Sequence, residues 1–255
     1  MRDLYQTKFR LKADTWIYVP SEAGRVRGKE IKTAIEGRWK CPGNFYHLLD
    51  GGHVAAARRH RDAPYVASLD LRRFFDQVTR SKVHRALKRL GLPQPDAWAA
   101  ACDSTVDKSP PQHRYSIPFG FVQSPLIASL VFAQSRLGKA IGALRGRGIE
   151  VTVYVDDITL SGESLAHLAD GMDNLRSAAA ASGFCFNEEK TRPPAAQTVG
   201  FNIEFGSGKM ALVAERLAQF AAALETGSLE QIEGILGYIR SVSVDQHSEL
   251  MGVDG

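Results

Sequence analysis

The residues of this chain with the clearest chemical potential are two adjacent aspartates, Asp156 and Asp157, between two short apolar runs. Those runs, residues 151–155 and 158–161, are rich in β-branched residues, which favour strands. A tight turn between two strands usually takes Asn-Gly or Asp-Gly, because its central residues need a positive φ. Neighbouring carboxylates at a hairpin tip repel each other, which indicates a place where negative charge is required. Because Mg²⁺ prefers carboxylate oxygens, a metal site is the first hypothesis, and a merely solvated acidic turn is the alternative.

A third carboxylate, Asp70, ends the strand-like run of residues 65–71. Side chains alternate along such a strand, and Asp70 either caps the next helix or binds a metal. Two carboxylates from separate strands can bridge a pair of Mg²⁺ ions roughly 3.5–4 Å apart, an arrangement that serves in-line phosphoryl displacement. Asp70, Asp156 and Asp157 are therefore the predicted catalytic and metal-binding residues of a nucleotidyl-transfer site, with two Mg²⁺ ions as the cofactor.

Composition and charge narrow the class of protein. Hydrophobic residues make up 44% of the chain and charged residues 24%, which is ordinary for a globular protein. No apolar run reaches the length of a membrane span, and the first residues lack the apolar core of a signal peptide, so we expect a cytoplasmic protein with no membrane partner. The charge is uneven: residues 1–65 carry a net +6, residues 66–162 a net +5 and residues 163–255 a net −7. The basic front two-thirds suits a polyanionic partner.

The order of predicted strands and helices indicates an α+β fold, in which an antiparallel sheet is backed by helices. We expect residues 25–32 to form an exposed strand, in which Arg25, Arg27 and Lys29 either contact phosphates or are simply solvated. The three histidines His47, His53 and His60 lack carboxylates at ligand spacing and are interpreted as ordinary hydrogen-bonded or exposed residues. We expect one helix from Ser124, its N-cap, to about residue 144. We then expect a strand at 184–187, a loop at 188–194 and one strand at 199–205. The last elements are helices at 212–226 and 228–242, followed by a frayed end.

Five segments in order resemble the motifs of bacterial reverse transcriptases of the retron and related type. They are LDLRRFFDQV at 69–78, IPFGFVQSP at 117–125, YVDD at 154–157, GFCFNEEKT at 183–191 and VGFNI at 199–203, and the resemblance extends over about residues 15–245. The resemblance implies a right-hand polymerase fold of fingers, palm and thumb. It assigns residues 1–65 and 81–116 to the fingers, 66–80 and 117–205 to the palm, and 206–255 to a short helical thumb.

The same resemblance implies roles for individual residues. Phe75, five positions after the first aspartate, would exclude a ribose 2′-OH and so select dNTPs, and Lys190 would contact the triphosphate. The full set of predicted dNTP-binding residues is Leu71, Phe75, Phe119, Gly120, Gln123 and Lys190, and the predicted primer-holding residues are Val199, Gly200 and Phe201.

Two departures keep alternatives open. Many relatives place Gln where this chain has Phe119, and the short thumb is acidic although a duplex-gripping thumb should be basic. The Gly-Gly-His segment at 51–53 resembles the "unknown group" reverse transcriptases, which implies anti-phage defence with a non-coding RNA, a partner protein or a homo-oligomer. The leading hypothesis is an RNA-directed DNA polymerase that copies an RNA template into a DNA product from dNTPs. The alternatives are template-independent or protein-primed synthesis at the same site, and a non-catalytic RNA-binding subunit.

Overall fold

A computed structural model of the chain describes residues 4–12, 15–108 and 112–252. Mixed helices and antiparallel strands make it an α+β fold, as predicted. The strands are β1 Tyr5–Lys12, β2 Thr15–Pro20, β3 Tyr65–Asp70, β4 Val106–Asp107, β5 Tyr115–Ser116, β6 Glu150–Tyr154, β7 Asp157–Gly162, β8 Arg192–Ala195, β9 Thr198–Gly200, β10 Ile203–Gly206 and β11 Lys209–Leu212. The helices are α1 Glu22–Glu36, α2 Gly52–Arg58, α3 Phe74–Gln77, α4 Arg80–Arg89, α5 Gln94–Asp103, α6 Ser124–Ala133, α7 Arg136–Arg145, α8 Leu165–Ala180, α9 Ala214–Thr226, α10 Leu229–Val242 and α11 Val244–Met251.

The central sheet has the strand order β6-β7-β3-β8, and every neighbouring pair is antiparallel. Its register places Asp70 at the end of β3 opposite Asp157 at the start of β7. Strand alternation then gives the sheet two different faces. One face presents the apolar side chains Ala67, Leu69, Val151, Val153, Ile158 and Leu160, all at most 1% exposed. The other face is polar and carries the aspartates.

Helices α4, α6, α7 and α8 cover the apolar face and share one continuous hydrophobic core with it. On the polar face, His60 is fully buried and bonds Ser161 Oγ at 2.7 Å and Thr152 Oγ1 at 2.8 Å. Burial lowers the pKa of His60 to about 3, so the ring is neutral, and its two nitrogens can satisfy one hydroxyl as donor and the other as acceptor. His60, Ser161 and Thr152 therefore form a buried polar network on this face.

A second core joins the meander β9-β10-β11 to α2 and the C-terminal helices. Val66, Ile203, Phe205 and Ile239 are its fully buried members. The expected single strand at 199–205 is wrong: the chain turns at Phe201 and Asn202, whose φ values of 59° and 60° are those of a tight hairpin turn. Residues 244–251, expected to belong to a frayed end, form the helix α11, which Ser243 caps by accepting a bond from the Gln246 N–H, and residues 253–255 lie outside the described residues.

The expected strand at 25–32 is wrong as well, because these residues lie in α1. Ser21 accepts the Gly24 N–H and caps the helix. The buried residues Gly24, Gly28, Ile31 and Ile35 recur at spacings of three and four, which is the helical period. The charged residues between them had suggested a two-residue alternation, but that alternation is the exposed side of this helix.

Three local predictions in the centre of the chain also differ. The expected long helix after residue 124 is two helices, since the chain breaks after α6 and Ser135 caps α7 by accepting the Gly138 N–H. Gln123, not Ser124, occupies the N-cap position of α6. Residues 184–187 form a single bridge between Phe186 and Leu71, not a strand, whereas Arg192–Ala195 pairs with β3 as an edge strand, where prolines are tolerated. None of the helices in the described ranges is long and apolar enough to cross a bilayer.

Candidate active site

The three predicted aspartates lie together at one end of the central sheet. Asp70 is opposite Asp157 in the β3–β7 register. The Leu71 N–H donates to the Asp156 carbonyl oxygen at 2.9 Å, which ties the hairpin tip to the end of β3. Asp70 is only 7% exposed, so its carboxylate lies in a recess where electrostatic interactions are stronger than in water.

The carboxylates perturb one another. Burial raises the pKa of Asp157 to about 7, and the nearby charges of Asp156 and Asp70 push it in the same direction. The pKa of Asp156 is also raised, first by burial and then by Asp70. Like charges within a few ångströms produce such shifts because ionisation of one group disfavours ionisation of the next. The cluster therefore holds more negative charge than its surroundings neutralise.

Lys190 is the counter-ion of the cluster. Its Nζ lies 3.2 Å from Asp70 Oδ2, and its loop is held by the Asn187 N–H, which donates to the Asp70 carbonyl oxygen at 2.7 Å. Partial burial alone would lower the pKa of Lys190, but the hydrogen bond to Asp70 and the charges of all three aspartates outweigh it and raise the pKa. The lysine is therefore protonated, with its ammonium at the mouth of the acidic recess.

The tip of the YVDD hairpin is strained, and His47 supports it. Val155 has φ 57°, a conformation that a β-branched residue rarely adopts. Its N–H donates to His47 Nδ1 at 3.0 Å, and His47 Nε2 lies 2.6 Å from Ser129 Oγ. Because Ser129 Oγ in turn donates to the Pro125 carbonyl oxygen, the partners favour the tautomer with the proton on Nε2. Burial lowers the pKa of His47 to about 4, so the ring is neutral and can accept from Val155.

This support was missed by the sequence analysis, which interpreted His47 as an ordinary residue. The contact joins positions 108 residues apart, so no local spacing could have revealed it. The same segment makes a second contact with the hairpin, since the Val153 N–H donates to the Asn44 carbonyl oxygen at 2.8 Å. Residues 44–47 therefore brace strand β6 and its turn from the side opposite β7.

The donors at this site suit a hard divalent cation, because carboxylate oxygens from two adjacent strands converge there. Within the described ranges, however, no three His, Cys, Asp or Glu side chains are drawn close enough to form a ready-made metal site. The Lys190 ammonium occupies the position next to Asp70 where positive charge is needed. Lys190 therefore neutralises part of the charge of Asp70 in this structure.

Phe75 and Phe119, both predicted near the incoming sugar, are in direct contact. Their rings stack with centroids 4.5 Å apart and an angle of 15° between planes. Phe75 is 6% exposed and Phe119 is 38% exposed, so Phe119 forms the outer layer of the pair. The structure thus joins two segments that are more than forty residues apart into one aromatic wall.

Three other predicted dNTP-binding residues are placed differently from expectation. The Leu71 side chain is fully buried, so only its backbone lies at the site. Gln123 is 1% exposed and its side chain packs against Gly28 of α1. Nucleotide binding by both residues stays a prediction. Gly120 has φ 100°, and a Cβ there would lie 2.2 Å from the Tyr18 carbonyl oxygen. The Gly120 backbone therefore packs closely against the backbone of β2.

The predicted phosphate contacts Arg25, Arg27 and Lys29 all lie on α1. Arg27 is engaged in ion pairs with Asp103 at 2.8 Å and Glu30 at 2.9 Å, so it ties α1 to α5. Arg25 and Lys29 are exposed. Arg27 therefore ties α1 to α5 in this structure, and phosphate contact by these three residues stays a prediction.

The predicted primer-holding segment is next to the catalytic hairpin. The ring of Phe201 lies 5.1 Å from that of Tyr154 and 5.5 Å from that of His53, between centroids. His53 Nε2 is 3.0 Å from the Tyr238 hydroxyl of α10. Val199 is 48% exposed and Gly200 is half-buried, so this edge of the turn is accessible.

A cavity of about 750 Å³ separates Phe201 from α9 and α10. The aromatic contacts link the hairpin, the turn and the C-terminal helices.

A set of basic residues beside the aspartates was also missed. Arg72 and Arg73 directly follow the Asp70 strand, and they line a cavity of about 420 Å³ together with Lys108, Arg114 and Asp76. Lys108 and Arg73 both pair with Asp76, which organises part of this cavity. The run Arg-Arg at 72–73 was visible in the sequence, but its convergence with residues 108 and 114 depends on the fold.

Comparisons with known proteins agree with this geometry. The family model described as reverse transcriptase (RNA-dependent DNA polymerase) matches residues 19–201. The Retron Ec86 reverse transcriptase of Escherichia coli is 26% identical over 98% of this chain and 75% of its own length. The Retron Mx65 reverse transcriptase of Myxococcus xanthus is 27% identical over 76% of this chain and 50% of its own length. The chain thus spans half of one curated relative and three-quarters of the other.

Solved structures identify the fold. The foamy viral protease-reverse transcriptase in complex with an RNA/DNA hybrid superposes with a TM-score of 0.51 over 96% of this chain and 30% of that protein, at 14% identity. The same viral enzyme with double-stranded DNA gives a TM-score of 0.50 over 91% of this chain and 36% of that protein, also at 14% identity. The predicted right-hand polymerase fold is confirmed. With the family model covering most of the sequence, this chain belongs to the reverse transcriptase (RNA-dependent DNA polymerase) family.

Proposed function

We propose that the chain extends a primer 3′-OH with dNTPs on an RNA template, using Asp70, Asp156 and Asp157 to hold two Mg²⁺ ions. The observation that carries this proposal is the register that brings Asp70 and the YVDD hairpin tip together at the end of the sheet. Family membership supports the polymerase activity and a divalent metal in general. The identity and number of the ions, and the role of each residue, belong to the proposal.

The raised pKa values of Asp156 and Asp157 support a cation site, because the cluster carries uncompensated negative charge. When bound, the ions would lower the pKa of the attacking hydroxyl and stabilise the charge on the leaving group. The primer oxygen forms a bond to the α-phosphorus, the bond from that phosphorus to the bridging oxygen breaks, and pyrophosphate leaves. Val155 and His47 position the strained tip that carries Asp156 and Asp157.

Lys190 is assigned to the leaving group. Its Nζ lies next to Asp70, and a cation at Asp70 would release it toward the phosphates. Its raised pKa keeps it protonated at neutral pH, so it can neutralise the phosphates or donate a proton to the departing pyrophosphate oxygen. Arg72 and Arg73, on the segment that follows Asp70, add positive charge on the same side.

Phe75 is proposed to exclude the ribose 2′-OH, with Phe119 packed on it as the outer wall. Replacing Phe75 with Ala should increase incorporation of rNTPs relative to dNTPs on the order of 10-fold or more, since a steric block is removed. Single-nucleotide extension with each substrate measures the ratio. Phe74→Ala is the matched control, because Phe74 is also buried and touches Phe75 from the core side, where it packs on Phe132 and Phe184. An unchanged ratio in Phe75→Ala would assign Phe75 to packing alone.

The polymerase proposal is tested by primer extension on a defined RNA template with purified protein free of nucleic acid. We expect Mg²⁺-dependent synthesis of complementary DNA. Sequencing the product distinguishes this from the alternatives: a random or homopolymeric product would indicate untemplated synthesis, and a product attached to protein would indicate protein priming. Absence of both synthesis and Mg²⁺-dependent dNTP binding would indicate a non-catalytic RNA-binding subunit. Full activity in Asp156→Ala would contradict the assigned site.

The biological setting is proposed from the named relatives, both of which are retron reverse transcriptases. We propose that the template is a non-coding RNA, that synthesis occurs in the bacterial cytoplasm, and that the DNA product serves anti-phage defence with a protein partner or a second copy of the chain. Sequencing of the nucleic acid that co-purifies with the protein tests the template assignment. Recovery of unrelated cellular RNA only would contradict it.

A further inference from the structure

A second concentration of positive charge lies in a groove of about 740 Å³ between α4 and α7. Its cations come from two helices about fifty residues apart in the sequence and are Lys82, Arg85, Arg89, Arg136 and Lys139. Among the described residues that line the groove, none is Asp or Glu. Elsewhere on this surface, cations such as Arg59 and Arg176 are paired with carboxylates, so the groove differs from an ordinary charged surface.

The spacing of the cations makes them a continuous row. Lys82, Arg85 and Arg89 lie at positions i, i+3 and i+7 of α4, which places them along one side of the helix over about 10 Å. Arg136 and Lys139 lie in the first turns of α7, where the helix dipole is positive. Cations are unfavourable at a helix N-terminus, and α7 has no acidic residue in its first turn. An anion bound in the groove would relieve this repulsion.

Lys82 provides further support. Burial, together with the nearby charges of Arg85 and Arg114, lowers its pKa to about 8. Its ammonium donates to the Gly183 carbonyl oxygen at 2.9 Å and lies 3.9 Å from the centre of the Phe184 ring. These neutral partners orient the cation and leave its charge uncompensated. The groove is therefore electrostatically incomplete without an anion.

The groove lies on the opposite side of the sheet from the aspartates. It is built on α4, α7 and the end of α8, which cover the apolar face, whereas Asp70 and Asp157 share the polar face. The segment 182–185 separates it from the cavity of Arg72, Arg73 and Arg114, because Gly183 lines that cavity while Ser182 and Phe184 line the groove. Positive charge thus continues from the catalytic end around to the back of the molecule.

We propose that this groove binds the phosphodiester backbone of an RNA segment that is separate from the strand being copied. A row of about 10 Å spans roughly three successive phosphates of one strand, which the five cations can neutralise together, whereas a single phosphate would engage only two or three of them. That the polyanion is RNA rests on the proposed function, and the groove itself rests on its own charge and shape. Such a site would hold a structured RNA on the enzyme while its template region enters the active site.

The experiment measures binding of an RNA hairpin of about 30 base pairs by fluorescence anisotropy at several salt concentrations. We expect the double variant Arg85→Gln/Arg136→Gln to weaken binding by about 10-fold or more at 0.1 M salt. The slope of log K against log salt should fall by about two, one for each lost phosphate contact. The control is Arg145→Gln/Arg147→Gln, which removes the same charge at the exposed far end of α7. Equal affinities in the two double variants would overturn the proposal.

Further readouts separate this proposal from the polymerase proposal. A short primer–template too small to reach the groove should be extended by the groove variant at the wild-type rate. If wild type binds the hairpin through the groove but extends no primer, the polymerase proposal fails and the groove stands. A stronger loss for a DNA duplex of the same sequence than for RNA would overturn the RNA assignment. If the variant instead loses only salt-sensitive self-association, the occupant is the acidic part of a second copy and the proposal is wrong.

Discussion

The two faces of the central sheet use the same strands for opposite purposes. On β7, Ile158 and Leu160 are fully buried against helices. Asp157, at the start of the same strand, lies opposite Asp70 and faces a partly open recess. The apolar face gains stability from burial of hydrophobic surface, and the polar face concentrates repelling charge at a strained turn. The comparison shows that a strand can supply stability and chemistry at adjacent positions, because its side chains alternate between two environments.

The largest expected effect comes from a substitution that changes the polar face alone. Asp156→Asn keeps the size of the side chain and removes its charge, so primer extension should fall by about 10³-fold or more, equivalent to roughly 4 kcal/mol of transition-state stabilisation. The melting temperature should not fall, because a repelling charge is removed from the cluster. Extension kinetics and thermal unfolding of the same preparation measure both quantities. Activity within 10-fold of wild type would contradict the assignment of Asp156 to the metal site.

The next largest effect is expected from a substitution on the apolar face. Ile158→Ala should destabilise the protein by about 2–4 kcal/mol, because a fully buried side chain is replaced by a cavity. Its neighbour Thr159 lies on the polar face, and Thr159→Ser, which removes one methyl group, is the control with a smaller loss. Urea unfolding gives the free energies. If Ile158→Ala abolished activity in protein shown to be folded, the separation of the two faces would be wrong.

A smaller effect is expected from the support of the turn. His47→Leu removes the acceptor of the Val155 N–H, so we expect kcat to fall by about 10- to 30-fold with little change in KM for dNTP. His47→Asn offers a side-chain oxygen near the position of Nδ1 and should recover most of this loss. Single-turnover kinetics distinguish the two variants. Equal losses in both, in parallel with equal losses in stability, would assign His47 to packing.

The smallest effect concerns pH and metal. The folded pKa of Asp157, about 7, exceeds its unfolded value near 4. The folded state therefore binds the proton more tightly, and the stability due to this group is full below pH 4 and lost as pH rises through 7. Mg²⁺ binds the ionised carboxylates and should offset this loss, so it should stabilise the protein by about 1 kcal/mol more at pH 8 than at pH 5. Thermal unfolding with Mg²⁺ and with EDTA measures this difference. An Asp157→Asn variant should lose most of the difference, and an equal effect of Mg²⁺ at both pH values would argue against a site at these carboxylates.

The sequence predicted the catalytic end of this protein better than its surroundings. Asp70, the YVDD hairpin and Lys190 come together as expected, although their roles at a metal site stay predictions. Two of the errors have a clear cause: two periodicities compete in α1, and a short hairpin interrupts an apolar run at Phe201 and Asn202. The division into fingers, palm and thumb at the predicted residue numbers also stays a prediction.

The sequence by itself determined the fold class, the acidic hairpin and the family, because strand alternation, turn residues and ordered motifs are local properties of the chain. Only the tertiary structure decided that His47 supports the strained turn, that Phe119 covers Phe75, and that Gln123 is buried under α1. It also decided that cations of α4 and α7 share one groove. The physical reason is that these contacts join residues tens of positions apart, and their partners are selected by how helices pack on the two faces of the sheet.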